Sequence, residues 1–300
     1  MTIKDCELEL DENKYQSTSP DTLLFPCTAY LTDVKHQFSG ELPWHWHEEI
    51  EMLIVKKGAI KISFSGKSII LDEGQGCFIN SNTLHTAHTI MNRACILNSL
   101  LFLPSLISGS VESVFNQRYV KPLIDASHIS CITFKAHIDW QRRVLETLNS
   151  AYDTYEASPK GFEWSIRESL SKIWYLIIEN NSTLLEQPIT KHDNTLNRVK
   201  TMLKFIHSNY PYPISLSEIA TSANISDREC LRCFQENLDT SPMQYLIRYR
   251  INMASKHLLE TDLAITMIAQ EVGMKSSSYF SKKFKQWKGF TPSEYRKQKI

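Results

Sequence analysis

IAQEVGMKSSSYFSKKFKQWKGFTPSEYR, residues 268–296, decides how the rest of the chain is read. Ala269 is followed four residues later by Gly273, and glycine adopts the left-handed conformation of a tight turn at least cost. The stretch therefore reads as helix, turn, helix. The pattern occurs twice. CLRCFQENLDTSPMQYLIRYR, residues 230–250, aligns with FSKKFKQWKGFTPSEYRKQ, residues 280–298, at an offset of 50 that sets Phe234 on Phe284, Pro242 on Pro292 and Tyr245 on Tyr295. Ile219-Ala220 corresponds to Ile268-Ala269 with one residue of slippage. A repeat of this detail means one supersecondary unit built twice.

In the first unit, Ser215 with Glu218 and Ser226 with Glu229 read as capping boxes for successive helices. Asn224 stands at the turn position, where a left-handed residue is needed. A small residue, a turn and a capped second helix is the geometry that seats a recognition helix in a DNA major groove. Charge agrees. The chain is neutral overall, yet residues 195–300 hold 16 Lys and Arg against 9 Asp and Glu, so this part carries +7 and the remainder −7. A basic, all-helical third points first to nucleic acid. On the first recognition helix Arg228, Arg232 and Gln235 fall opposite Cys230, Cys233 and Phe234, and an arginine so placed can grip guanine or a phosphate.

These residues resemble the AraC/XylS family of bacterial transcription regulators. Ile268-Ala269, Gly273, Tyr279-Phe280, Phe284-Lys285, Gly289, Thr291-Pro292 and Tyr295-Arg296 follow its signature, with Met274 where Phe is usual. In the first unit Asp239 replaces the expected Gly, and Cys230 and Cys233 replace usual Leu positions. The resemblance implies base readers at Arg228, Leu231 and Arg232 and, in the second helix, at Ser277, Ser278, Ser281 and Lys282. Lys283, Lys285 and Lys288 read as phosphate contacts or solvated charge.

Upstream the period changes. From about Phe25 to Phe134, β-branched and aromatic residues alternate between glycine-marked turns, which suggests five or six strands of a sandwich or barrel. Within that span SLISGSVESVFNQ, residues 105–117, reads as a helix on the sheet. HWHEEIE, residues 45–51, places His45, His47 and Glu51 on one face of a regular strand, with Trp44 and Trp46 opposite. HWHEEIEMLIVKKG resembles the first cupin motif, and Gly74 and His85 fit the second, although Asn80 and Asn82 stand where Pro and Gly are common. His45, His47, Glu51 and His85 could hold a transition metal. Fusion to a DNA-binding domain favours instead a pocket that reads a ligand without transforming it, with no cofactor. A metal-dependent cupin enzyme fused to a DNA-binding domain is the alternative.

Apolar residues at helical spacing then mark two helices. Trp140, Val144, Leu148, Tyr152 and Tyr155 fall on the first stripe, and Phe162, Ile166, Leu170, Ile173 and Ile177 on the second, with the breaker at Ser158–Gly161 between them. The stripes suit packing on the barrel or a dimer. The expected layout is an α+β chain of a cupin-like β-barrel (1–135), a helical hairpin for dimerisation (136–182), a polar linker with Pro188 (183–195) and an all-α double helix–turn–helix domain (196–300). Seven cysteines without a regular framework suit a reducing compartment. The polar start MTIKDCELELDENK lacks an apolar signal core, and the longest apolar runs are too short to span a membrane, so a cytoplasmic location is expected. Cys230-Leu-Arg-Cys233 reads as two small core residues rather than a redox pair. By resemblance the partners are double-stranded DNA, a small-molecule effector (a carbohydrate being favoured), a second copy of the chain and, for an activator, RNA polymerase.

Overall fold

The computed structural model describes residues 4–5, 25–35, 40–126, 128–181 and 193–297. The chain divides into two compact units at His192/Asp193. The expected linker falls mostly on residues 182–192, outside the described residues. No described helix is long and apolar enough to cross a membrane.

The first unit is built on two sheets. One contains β1 (Lys4–Asp5), β2 (Cys27–Asp33), β4 (Ile50–Lys57), β7 (Gly76–Ile79), β9 (Ile96–Phe102) and β10 (Cys131–Phe134), in the order β1-β2-β9-β4-β7-β10. The other contains β3 (Glu41–His45), β5 (Ala59–Phe64), β6 (Lys67–Asp72) and β8 (His85–Thr89), in the order β3-β8-β5-β6. Nine described strands, β2–β10, thus occupy the span in which five or six were anticipated, because many are only four to six residues long. One interior is shared: Leu53, Val55, Cys77, Ile79 and Leu97 of the larger sheet pack with Ile60, Ile62, Phe64 and Ala87 of the smaller.

Successive side chains on a strand point to opposite faces. Ile50, Met52 and Ile54 of β4 therefore leave the interior and join a second core with the helical hairpin, α3 (Asp139–Ala157) and α4 (Phe162–Asn180). Every residue of the two apolar stripes belongs to that core, Trp140 only at its edge. The stripes are thus covered by the sheet. On the opposite side of α4, Trp164 and Tyr175 are 73% and 61% exposed. The helix expected over 105–117 does not form as one piece. Only α1 (Ser105–Ser108) is regular before Gly109 turns left-handed at φ 67°, and the chain coils again from Asn116 through α2 (Lys121–Ile124).

The second unit runs α5 (Asp193–Asn209), α6 (Leu216–Ser222), α7 (Asp227–Leu238), α8 (Pro242–Glu260), α9 (Ile265–Glu271), α10 (Ser277–Lys288) and α11 (Pro292–Arg296). The sequence repeat is a structural one. In each turn an amide bonds back to the small residue's carbonyl, Ile225 N to Ala220 O at 3.1 Å and Met274 N to Ala269 O at 2.8 Å. Asn224 and Gly273 are left-handed, at φ 54° and 78°, and so are Asp239 and Gly289 after the recognition helices, at 49° and 78°. Ser241 and Thr291 then close capping boxes with Gln244 and Glu294. Phe234 meets Tyr245 edge-on at 6.0 Å, as Phe284 meets Tyr295 at 5.3 Å. One expectation fails. Ser226 Oγ accepts from Glu229 N, but the box stays open because the Glu229 carboxylate turns to Arg232 and Arg198.

Gly273 has no slack. A Cβ there would lie 2.6 Å from Tyr210 O and 2.7 Å from Pro211 O. Gly273→Ala should therefore destabilise the fold by at least the roughly 1–3 kcal/mol of a strained left-handed residue, measured by urea denaturation of the full chain. An unchanged midpoint would mean that the turn is not held as described.

Candidate functional site

The first cluster lies inside the barrel. His45 ends β3, His47 follows in the connection to β4, Glu51 is on β4, and His85 begins β8 directly across from His45. The three histidines and Glu51 thus come together, but not as residues of one strand. The chain leaves the smaller sheet after His45 and enters the larger at Ile50, so the cluster bridges the two. Glu51 faces inward because it alternates with Ile50 and Met52, which face the hairpin. Trp44 and Trp46 are both buried, and the β3–β8 register shifts between Leu42 and His45.

All three rings are held in the same way. His45 Nδ1 lies 2.8 Å from Pro43 O, His47 Nδ1 2.9 Å from Glu49 O and His85 Nδ1 2.8 Å from Thr83 O. A carbonyl can only accept, so each Nδ1 carries a proton, and a ring that is neutral keeps its lone pair on Nε2. One ring nitrogen from each histidine lies within 4.8 Å of the others. Glu51 Oε2 stands 3.6 Å from His47 Nε2 and 3.5 Å from His85 Nε2, too far for good hydrogen bonds and ion pairs only where the ring is protonated. Burial works against ionised Glu51, but the two imidazoles outweigh it and hold its carboxyl well below the usual range. Burial opposes charge on His47 as well, yet Glu51 and Glu49 raise its pKa; His45, disfavoured by burial and by its two histidine neighbours, is pushed well down. The cluster can present lone pairs to a metal or a hydrogen-bonding ligand, with one carboxylate charge beside them.

Sequence reasoning missed Glu49. Its side chain is buried, neither carboxylate oxygen has a hydrogen-bond partner among the described residues, and it stands 3.8 Å from His47 Nδ1. Nothing in HWHEEIE distinguishes it from exposed Glu48, because only the path between the sheets buries one of the two. The two Asn departures have local causes. Asn82 takes the left-handed conformation at φ 56°, doing the work of glycine. Asn80 is buried, and its amide reaches the carbonyls of Leu123, Ile124 and Ile129 at 2.9, 3.4 and 3.1 Å, tying that segment to the end of β7. His88 is half-buried on β8, and its odd spacing from His85 sets it on the other face.

The second candidate surface is the pair of recognition helices. On α7, Arg228, Leu231, Arg232 and Gln235 are exposed, while Cys230, Cys233 and Phe234 are fully buried. Burial pushes the Cys230 thiol up to about 12 and raises Cys233 as well, so both stay protonated core residues. Arg232 is not open. Its guanidinium donates to Glu229 at 2.7 and 3.0 Å and to Glu236 at 2.9 Å. Gln235 donates to Asp239 at 2.8 Å, bracing the left-handed residue that replaces glycine. On α10, Ser277, Ser278 and Lys282 are exposed and Ser281 half-buried.

Two family models match the chain, a helix-turn-helix domain over residues 219–298 and a cupin domain over 33–100. The uncharacterised HTH-type transcriptional regulator YdeC of Bacillus subtilis is 28% identical, over 96% of this chain and 97% of its own length. The melibiose operon regulatory protein of Escherichia coli is 22% identical over 84% of this chain and 83% of its own. The lactose operon transcription activator of Staphylococcus xylosus is 35% identical, over 33% of this chain and 35% of its own.

The isolation of Glu49 has a pH signature. Burial raises its pKa, with His47 pulling weakly the other way. The folded chain therefore holds this proton more tightly than the unfolded chain does. The cost of Glu49 is absent at low pH and grows as pH rises above the unfolded carboxyl value. In metal-free full-length protein, Glu49→Gln should stabilise the fold by about 1–3 kcal/mol at neutral pH and change little near pH 4, where free carboxyls titrate. Thermal unfolding of both proteins at the two pH values checks this; equal midpoints at neutral pH would refute it.

Proposed function

We propose, from the premise that this chain is a transcription regulator of the AraC/XylS kind carrying a cupin domain and a helix-turn-helix domain, that the barrel senses a small molecule at His45, His47, Glu51 and His85. The observation that carries this reading is the inward cluster of three equally oriented imidazoles and one carboxylate. Buried polar groups that converge no closer than 3.5 Å, with His47 Nε2 left without a hydrogen-bond partner among the described residues, suit a ligand that completes them. The effector class we favour is a carbohydrate, whose hydroxyls both donate and accept. The melibiose regulator, aligned over most of this chain, is named for a sugar operon. The chain reads its effector without turning it over, as befits relatives named as regulators.

One observation favours a second reading of the same site. Donation of every Nδ1–H to a backbone carbonyl is how metal-ligating histidines are oriented. The donor set of three imidazoles and a carboxylate fits a divalent transition metal, held by His45, His47, His85 and Glu51. When bound, such an ion supplies a Lewis-acidic point for an effector oxygen. Elemental analysis and chelation of the full chain separate the two readings. A metal held stoichiometrically, with effector binding lost on its removal and intact folding by circular dichroism, selects the second. Effector binding that survives chelation selects the first. A triple His45→Gln, His47→Gln, His85→Gln variant that folds and binds effector like wild type rejects both.

DNA is read by α7 and α10, set in successive major grooves about 34 Å apart. Ligand must favour one arrangement of sensor and reader over another to have any effect. To reach guanine, the half-exposed Arg232 exchanges its Glu229 and Glu236 partners for the base. Arg232→Ala should weaken specific binding by about 1–3 kcal/mol and relax preference at one base pair. Lys282→Ala should weaken specific and non-specific binding alike and lower the salt dependence by about one counterion. Titrations at several salt concentrations measure both. A folded Arg232→Ala protein as selective as wild type would remove this residue from base reading.

The regulator acts as a homodimer through the outer side of α4, around Trp164 and Tyr175, in a cytoplasmic setting, and an activating role would bring RNA polymerase as a further partner. Sedimentation of the full chain at micromolar concentration should show a dimer that Trp164→Glu converts to monomer. A Trp164→Glu protein that stays dimeric would move the interface elsewhere.

A further inference from the structure

The second unit contains a groove of about 480 Å³ that neither recognition helix explains. Its walls come from three places in the chain. Ile214 precedes α6, Met243, Leu246 and Ile247 belong to α8, and Met274 and Tyr279 flank the start of α10. The size falls within the range of small-molecule sites, and such a site needs a few placed polar groups on apolar walls.

Two of those polar groups are cationic. Arg250 lines the groove half-buried, donating from Nε to Tyr210 O at 2.8 Å and from Nη2 to Tyr212 O at 2.7 Å. Both partners are neutral carbonyls, and no carboxylate pairs with it among the described residues. Its guanidinium has five donors, so donors remain for an anion. Lys275 adds an exposed ammonium at the same groove. Glu218 is the acid among the lining residues, and its carboxylate is engaged in the cap, accepting from Ser215 N at 2.8 Å and Ser215 Oγ at 2.6 Å.

We infer that this groove binds a small apolar monocarboxylate, its hydrocarbon body against Met243, Leu246 and Tyr279 and its carboxylate toward Arg250 and Lys275. A neutral molecule would leave the guanidinium half-buried without a counter-charge, and a bare phosphate would leave the apolar walls unfilled. The site would be coupled to DNA. Tyr279 stands between Ser278 and Ser281 on α10, so the turn that walls the groove is the turn that carries the proposed base readers. An anion seated there adds negative charge beside the duplex and lowers DNA affinity, and by linkage DNA lowers the affinity for the anion. This coupling depends on the DNA-reading assignment of α10; binding of the anion does not.

The test uses full-length protein, with 2-naphthoate as probe and neutral 2-naphthamide as control. Direct binding is measured by calorimetry without DNA, and DNA binding is measured separately without naphthoate. We expect saturable naphthoate binding, weakened at least tenfold in the amide and in Met243→Glu, which sets a carboxylate at the groove. Lys275→Gln should weaken naphthoate several-fold; it stands in for Arg250→Gln, whose loss of two backbone contacts could unfold the unit. Naphthoate should then raise the apparent Kd for a duplex several-fold in wild type but not in Met243→Glu. Equal binding of acid and amide, or full naphthoate binding by Met243→Glu, overturns the site. If naphthoate does not bind while Lys275→Gln lowers the salt dependence of DNA binding, the cations serve phosphates and the proposal fails. Saturable, charge-dependent naphthoate binding by a protein that does not bind DNA would leave the groove standing and refute the DNA reading alone.

Discussion

The alternation of side chains along one strand organises the whole sensor unit. Ile50, Met52 and Ile54 face the helical hairpin, while Leu53 and Val55 face the barrel interior. Glu51 shares the inward parity and so meets the histidines. A slip of one residue in β4 would exchange these faces, placing a carboxylate under the hairpin and isoleucines among imidazoles. Two ladders prevent it. β4 is paired on both edges, with β7 and with β9. The register that holds the core together is thus the register that assembles the candidate site.

In the second unit the governing constraint is the reversal of chain direction. Four left-handed residues, Asn224, Asp239, Gly273 and Gly289, stand at equivalent points of the two repeats. The second repeat meets the demand with glycine. The first meets it with Asn and Asp, side chains that tolerate this conformation better than other non-glycine residues, and braces Asp239 through Gln235. The loss of glycine at position 239 is therefore a change of means within the same backbone, and the first unit keeps its geometry.

Much of this was legible in the residues, and what was not has physical reasons. The hairpin stripes were legible because helical period is a local property, and each named stripe residue lies in the core except Trp140, which packs at its edge. The helix-turn-helix units were legible because the repeat tests itself. The histidines were recognisable by type, but their common face was assigned to one strand, and the structure assembles it across two sheets. Glu49 and the groove at Arg250 were invisible for the same reason: each depends on segments distant in the chain that only folding brings together. The helix expected over 105–117 breaks at Gly109, whose positive φ of 67° ends the first turn although the apolar pattern continues.

The two recognition helices are unequal in charge. Helix α7 sets Asp227, Glu229 and Glu236 against Arg228 and Arg232, whereas α10 carries Lys282, Lys283, Lys285 and Lys288 without an acid. The consequence is kinetic. Random DNA is gripped through phosphates, so on the proposed reading α10 would supply most of the hold during search and the self-neutralised α7 would add little drag. If Arg232 reads bases as proposed, dwell times on wrong sequences would stay short, because its fork would keep its own carboxylates until a better partner is offered. One helix would then tether while the other samples, and residence would lengthen only where the fork changes hands.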